Sequence, residues 1–146
     1  MAKVSSKDRV LFIGCGVLPT GPMLLAEETK AKIVTIDNSS KAFKLAKSYI
    51  RKKGLSDIIE IDCADGTNYP VENFDVIFIA INVWPIDSVL KHLFSNMKTN
   101  ARILCKGIKN DVLNVLEKEE LHDKFSVNSV SQNPKTYSFL LTKNQI

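Results

Sequence analysis

The stretch "RVLFIGCGVLPTG", Arg9 to Gly21, decides the fold. It opens on a short continuous apolar run that stops at Gly14, as a strand buried on both faces of a parallel sheet does. Gly14 and Gly16 can then take backbone angles that other residues avoid, and they let a ligand reach the main chain without meeting a Cβ. Taken alone, Gly-x-Gly also serves any tight strand-to-helix turn. The residue three after Gly16, where a dinucleotide-binding Gly-x-Gly-x-x-Gly loop has its third glycine, is Pro19.

Outward from this turn, strands and helices alternate. "GPMLLAEETKA" places Pro22 near a helix start and continues for about three turns in good helix formers. "KIVTID" reads as a second strand ending in Asp37. Ser39 or Ser40 then caps a long helix to about Lys53, which Gly54 ends. Phe43, Ala46 and Ile50 recur on one face of that helix, with Lys44, Lys47 and Arg51 on another, a face either simply solvated or turned to an anionic partner.

"DIIEIDC" reads as a third strand and the strongly apolar "FDVIFIAI" as a fourth, central one. From Pro85 to Met97, Ile86, Val89, Leu90, Leu93 and Phe94 form a helical stripe; "ARILCKG" follows as a fifth strand, and another helix runs from about Asn110 to Leu121. "KFSVNSV" and "TYSFLLTK" are two strands separated by "SQNPK", too close for a crossover helix. Five strand-helix units closing in a hairpin imply one α/β domain over residues 1–146. It is doubly wound and Rossmann-like, with a mostly parallel sheet and one antiparallel strand from the C-terminal hairpin.

At 146 residues the chain has room for one sizeable core, and 45% hydrophobic with 25% charged residues is an ordinary globular balance. The net charge of +4 comes from twenty basic and sixteen acidic residues spread along most of the chain, so charge gives little support to a nucleic-acid partner. Cys15, Cys63 and Cys105 are far apart and lack the paired spacing of a zinc site, so no metal is expected and the thiols read as free in a reducing cytoplasm. No apolar run approaches the roughly 20 residues needed to cross a bilayer, and "MAKVSSKDR" lacks the apolar core of a signal peptide. The expectation is a cytoplasmic protein with no membrane partner.

In a doubly wound sheet the ligand sits at the carboxyl ends of the strands, beside the first strand. Asp37 ends the second strand twenty-one residues after Gly16, where a carboxylate accepts hydrogen bonds from both hydroxyls of an adenosine ribose. A helix-capping role ahead of Asn38 and Ser39 is the alternative. Asp65, in "CADGT" after the third strand, is placed to accept from the exocyclic amine of an adenine; a turn aspartate before Gly66 is its alternative. "AINVWP", Ala80 to Pro85, leaves the fourth strand with Asn82 beside the only tryptophan, Trp84. These two either border a reacting group or cap a helix.

The expected ligand-binding set is Gly14, Cys15, Gly16, Leu18, Asp37, Asn38, Ala64, Asp65, Gly66, Ala80 and Asn82. No side chain receives a catalytic assignment. His92 and His122 fall on predicted helices and read as surface residues, and Tyr69 and Asn82 lie near strand ends without a defined role.

The order Gly-x-Gly, strand-end Asp37, post-strand Asp65, apolar fourth strand and closing hairpin resembles the class I S-adenosylmethionine-dependent methyltransferases over nearly the whole chain. That resemblance implies a seven-stranded sheet whose last strand lies antiparallel between two others. It also implies that the Gly14 to Gly16 turn holds the methionine end of S-adenosylmethionine, Asp37 its ribose and Asp65 its adenine ring. Two positions depart from the superfamily. The acidic residue often found two before the first glycine is Phe12 here, and the usual third glycine is Val17.

"GCGVLPTGPMLLA" is similar to the equivalent turn of the nicotianamine synthases, where a Leu-Pro segment and an apolar helix ending in Leu-Ala follow Gly-x-Gly. "FDVIFIAINV" is similar to that family's fourth strand. The resemblance implies transfer of the cofactor's aminocarboxypropyl arm instead of its methyl group, releasing methylthioadenosine. The family carries an additional helical region before the cofactor-binding domain, whereas eight residues precede Arg9 here.

The resulting reading is an S-adenosylmethionine-dependent transferase, first a methyltransferase acting on a small-molecule acceptor. Aminocarboxypropyl transfer is the alternative, favoured by the Leu18-Pro19 turn. A non-catalytic S-adenosylmethionine-binding module, its acceptor site supplied by a protein partner, is the third reading. The closing hairpin and Pro19 weigh against a nicotinamide dinucleotide. A sulfonium amino acid has no phosphate, so a third glycine is not required. Val17, Leu18 and Pro19 instead read as an apolar lip near the methionine arm.

Overall fold

A computed structural model describes residues 1–145. The elements follow as β1 (Arg9–Ile13), α1 (Thr20–Thr29), β2 (Lys32–Asp37), α2 (Ser40–Lys52), β3 (Ile59–Cys63), β4 (Val76–Ile79), α3 (Ile86–Asn96), β5 (Arg102–Gly107), α4 (Lys109–Leu116), β6 (Phe125–Asn133) and β7 (Thr136–Lys143). The seven strands form one sheet in the order β3-β2-β1-β4-β5-β7-β6. Pairs from β3 to β5 are parallel, and β7 runs antiparallel to both β5 and β6. The doubly wound sheet is therefore present, with the last strand inserted between two others as the resemblance implied. Among the described residues no helix is long and apolar enough to cross a membrane.

The continuous apolar strands form because successive side chains enter opposite cores. Leu11, Ile13, Ile36, Ile77 and Ile79 pack with Val89, Leu90 and Leu93 of α3 on one face. Val10, Ile33, Ile59 and Val76 pack with Ala26 of α1 and Ala46 and Ile50 of α2 on the other. Each such fully buried aliphatic side chain stabilises the fold by about 1.5–3 kcal/mol. Local signals agree with the packing: Ser39 Oγ accepts the Ala42 N–H at 3.2 Å at the start of α2, and Gly54 takes φ 70° just past its end.

Some boundaries differ from the sequence expectations. α4 stops at Leu116 instead of near Leu121. Its last turn has no basic residue, and Glu117, Glu119 and Glu120 would add acid to the negative end of the helix. His122 therefore lies in the following turns, 3.1 Å from Asp123 Oδ2, and not on a helix. The hairpin turn is also tighter, because pairing continues to Asn133 opposite Thr136 and leaves only Pro134 and Lys135 at the tip.

The larger difference is the crossover from β3 to β4. Residues 64–75 hold no helix, so the five expected strand-helix units are four. One aromatic ring does part of a helix's fastening. The Tyr69 hydroxyl donates to Asp62 on the edge strand at 2.6 Å, and the Tyr69 carbonyl accepts from His92 Nε2 on α3 at 2.6 Å. The Asn96 amide approaches His92 Nδ1 at 3.1 Å, which leaves Nδ1 as acceptor. His92 is thus a half-buried fastening between α3 and the crossover, not a surface residue.

Asp75 fastens the other end of this crossover. Its Oδ2 accepts the Arg9 N–H at 2.8 Å and its Oδ1 the Lys98 ammonium at 2.7 Å. The Arg9 N–H, then Lys98, hold the carboxyl below its ordinary value. A native pKa below the unfolded value of about 3.9 stabilises the fold above that pH, and the stabilisation is lost as pH falls through the native pKa. Asp75→Asn should cost about 1 kcal/mol at pH 7. It should also flatten the acid limb of the stability curve, as urea unfolding between neutral pH and about pH 2 will show.

Candidate functional site

At the carboxyl ends of β1 to β4 the sheet opens into a cleft of about 500 Å³. Parallel pairing runs one residue past the strands and brings their turns to one level. Gly14 N–H reaches the Ile36 carbonyl at 2.8 Å, Ala64 N–H that of Asp37 at 3.1 Å, and Ala80 N–H that of Ile13 at 3.0 Å. A second concavity, about 560 Å³, lies along the open edge of β3 against α2, lined by Lys47, Arg51, Glu60 and Asp62 among others. It includes none of the ligand-binding residues expected from sequence.

The two glycines of the turn are required for different reasons. Gly14 has φ 87°, and a Cβ there would stand 2.6 Å from Val83 Cγ2 and 3.3 Å from Ala80 Cβ, so the β4 loop closes directly on the turn. Gly16 has φ 69° and open space where a Cβ would go. There the conformation, not crowding, calls for glycine.

Asp37 is half-buried at the end of β2. Its Oδ2 accepts the Gly16 N–H at 3.0 Å and its Oδ1 the Ser39 N–H at 3.0 Å. The ligand-facing and helix-start positions read from sequence thus coincide. A carboxylate offers about four lone-pair sites, so acceptor capacity remains on the cleft side.

Asp65 stands exposed on the rim, where its Oδ1 accepts both the N–H and the hydroxyl of Thr67 at 2.8 Å. Those two bonds, the N–H first, hold its carboxyl below its ordinary value. Asp65 remains an anion and is oriented by the turn that contains it. Gly66, next to it, is buried, and a Cβ there would come within 2.9 Å of Ile13 Cγ2.

Gly14, Cys15, Gly16, Asp37, Asn38, Ala64, Asp65, Gly66, Ala80 and Asn82 all line this cleft. Leu18 does not. Its carbonyl accepts the Thr20 N–H at 2.8 Å, Pro19 after it is buried, and the Leu18 side chain is left 54% exposed. Cys15 is a buried thiol pushed up to about 11, chiefly by desolvation, so it stays neutral. The cleft also takes in Ile13, Ile36, Ile81, Val83, Trp84 and Val89. Ile13 and Ile36 could have been found as the last inward-facing residues of their strands; Val83 and Val89 carry no local signal.

Phe12, the departure from an acidic residue, does not face the cleft. Its ring stacks on Phe78 with centroids 5.6 Å apart and an interplanar angle of 6°, and belongs to the core under α1. Gly21 leaves room for it, since a Cβ there would lie 2.7 Å from the ring. The charge of the cleft is therefore carried by Asp37 and Asp65, and none of its lining residues is basic. Among the described residues no group of three or more His, Cys, Asp or Glu comes together to hold a metal ion.

Comparison with known proteins adds three observations. The family model described as nicotianamine synthase protein matches residues 1–140. Methyltransferase GfsG of Streptomyces halstedii is 28% identical over 125 residues, 82% of this chain and 42% of that protein. L-histidine 2-aminobutanoyltransferase of Pseudomonas aeruginosa is 29% identical over 112 residues, 74% of this chain and 43% of that one. The chain thus spans less than half the length of these curated relatives. Among solved structures, MtNAS in complex with MTA and tNA superposes with a TM-score of 0.83 at 19% identity, covering 99% of this chain and 56% of that one. This likeness is one of fold.

The Gly14 contact is testable by a double-mutant cycle. Gly14→Ala should destabilise by about 1–3 kcal/mol through positive φ and overpacking. Combined with Val83→Ala, it should cost measurably less than the sum of the single changes, because the clash is removed while the φ strain stays. Urea midpoints of the four proteins give the coupling.

Proposed function

The chain belongs to the nicotianamine synthase protein family, and from that premise we propose that residues 1–146 form an S-adenosylmethionine-binding domain serving a transferase that acts on a small-molecule acceptor. The observation that carries this reading is the charge of the cleft, which has two carboxylates and no basic side chain in its lining. S-adenosylmethionine carries a cationic sulfonium and an ammonium, which such a lining favours. The pyrophosphate of a dinucleotide would find no cation there, and the Gly16 N–H is already bound to Asp37.

In this reading the Gly14–Cys15–Gly16 turn lies against the methionine end. Asp37, with Asn38 beside it, receives the ribose hydroxyls through its remaining lone pairs. Ala64 and Gly66 leave room for the adenine, and Asp65 accepts from its amine. Ala80 and Asn82 border the reacting end. Leu18 drops out of the set. When bound, S-adenosylmethionine supplies an electrophilic sulfonium from which a methyl group or the aminocarboxypropyl arm can move.

The protein's part is to position and to exclude water. No side chain is assigned the role of general base in this reading. Desolvation, then the Asp62 carboxylate, raises the Tyr69 phenol well above its ordinary value, so it serves as a donor. His92 is committed to the Tyr69 carbonyl.

Methyl transfer is the first reading and accords with the methyltransferase relative. Arm transfer is the second, favoured by the family match and the aminobutanoyltransferase relative. An acceptor site supplied by a protein partner also belongs to this proposal, since Ile81 and Trp84 stand exposed at the mouth of the cleft. So does a cytoplasmic location, which the unpaired thiols of Cys15, Cys63 and Cys105 suit.

Calorimetric titration should show S-adenosylmethionine and S-adenosylhomocysteine binding and NAD failing to bind. Asp37→Ala should weaken the nucleoside ligands by about 1.5–3 kcal/mol, the scale of a charged hydrogen bond, with the folded circular dichroism spectrum retained. Equal affinity in that variant, or comparable binding of NAD, would overturn the assignment. Product analysis separates the two chemistries: S-adenosylhomocysteine marks methyl transfer and methylthioadenosine marks arm transfer.

A further inference from the structure

We propose that the outer face of α2 binds a linear polyanion, the phosphate backbone of a single nucleic-acid strand. The net charge of +4 conceals a segregation. Residues 41–53 hold six basic residues, Lys41, Lys44, Lys47, Arg51, Lys52 and Lys53, and no acidic one. Twenty less six leaves fourteen basic residues against sixteen acidic ones, so the rest of the chain is net −2. The positive charge of the protein lies wholly on α2 and its C-terminal cap. Among the described residues none of these six takes part in an ion pair, whereas Lys91, Lys98, Arg102 and Lys118 each do.

Helix stability does not account for this row. Arg51 and Lys52 stand in the last turn, where the helix dipole favours cations. Lys41 stands in the first turn, where the dipole disfavours them, and no acid accompanies it there. Lys41, Lys44, Lys47 and Arg51 follow one another at steps of three, three and four residues, so like charges are neighbours and repel. The helix forms because its other face, with Ala42, Ala46 and Ile50, is buried. An anion laid along the row would remove the repulsion.

The form of the row selects the occupant. α2 has 13 residues and is about 20 Å long, and the four cations descend it on its exposed side. Such a row matches a chain of regularly spaced charges better than a single ion. A membrane surface calls for apolar side chains beside the cations, and Leu45 is the only large one that α2 exposes. The concavity between α2 and the β3 edge adds Asp57, Glu60 and Asp62 to Lys47 and Arg51. Those carboxylates keep a polyanion on the crest of the helix and deny an acidic peptide the backbone of β3.

The contact is with phosphates and not with bases. Phe43 and Tyr49 are half-buried, and each has a lysine of its own segment over its ring, Lys47 Nζ at 5.4 Å and Lys53 Nζ at 5.6 Å from the centroids. Neither ring is offered for stacking, so no base preference is expected. Asn38 lines the cleft and α2 starts at Ser40, so the row begins beside the cleft and leads away from it. None of the six basic residues lines the cleft, and the proposal does not rest on the identity of the ligand there.

Fluorescence anisotropy of a labelled oligouridylate tests it. Near physiological salt the dissociation constant should be about 1–100 μM, and log affinity should fall against log salt with a slope of about −3, from four phosphate contacts at about −0.7 each. Oligodeoxycytidylate should bind alike within about threefold. Lys44→Glu should weaken binding by about fivefold or more and flatten the slope to about −2. Lys41→Glu, which puts an acid in the first turn, should weaken binding as much while raising the urea midpoint, a pairing that a merely structural lysine would not give. Should one variant fail to fold, the other carries the test. Lys135→Glu at the hairpin tip changes the net charge equally and should leave the affinity within about twofold, since it lies beyond the reach of screened charges on α2. Absence of oligouridylate binding at about 100 μM protein would overturn the proposal. So would equal losses in Lys135→Glu and the two helix variants, or tighter binding to phosphatidylserine vesicles or polyglutamate than to the oligonucleotide.

Discussion

The carboxylate of Asp37 ties the turn after β1 to the start of α2. One oxygen takes the Gly16 N–H and the other the Ser39 N–H, each at 3.0 Å. These amides lie beyond the strand ends, where the ladder no longer supplies acceptors. One side chain therefore extends the hold of the β1–β2 pairing from the exit of β1 to the entry of α2. With its anchor outside the turn, the loop needs no third glycine to hold its shape. Val17 and Leu18 can project into solvent while buried Pro19 leads into α1.

That tie also settles what the turn can offer a ligand. Phosphate-binding loops present unpaired N–H groups at a helix start. Here one such group is spent on an aspartate, and α1 begins behind a proline with no side-chain cap. The turn offers close approach to the main chain and an adjacent negative charge. Asp65, held anionic by Thr67, adds a second carboxylate across the cleft. The lining of the cleft thus carries two carboxylates and no basic side chain.

The elements that were legible in the sequence are those whose signals are local and mutually consistent. β1, β2, β4 and β5 are continuous apolar runs because both faces of the sheet are covered. Gly14, Gly16, Asp37 and Asp65 share one cleft because each sits where a parallel strand ends. What escaped depends on contacts distant in sequence. Val83 lies over Gly14, and Phe12 is turned to the α1 core by stacking on Phe78. Leu18 was assigned to the cleft by proximity in sequence, but a one-residue rotation of a tight turn suffices to face it outward. The shorter α4 was readable in principle from its trailing glutamates. The absent crossover helix was not, because its substitute is a hydroxyl reaching an aspartate seven residues back.

That helix-free crossover carries one side of the cleft on side-chain contacts instead of a helix. A helix between β3 and β4 would protect its amides with its own ladder. Residues 64–75 are instead held by buried Val71 and Phe74 and by the Tyr69 hydroxyl, the His92 imidazole and the Asp75 carboxylate. Asp65 and Gly66 ride on this segment, while Asp37 belongs to the rigid sheet. A ligand spanning the two aspartates would tie the crossover to the sheet at one further point, so that filling the cleft and bracing the crossover become one thermodynamic event.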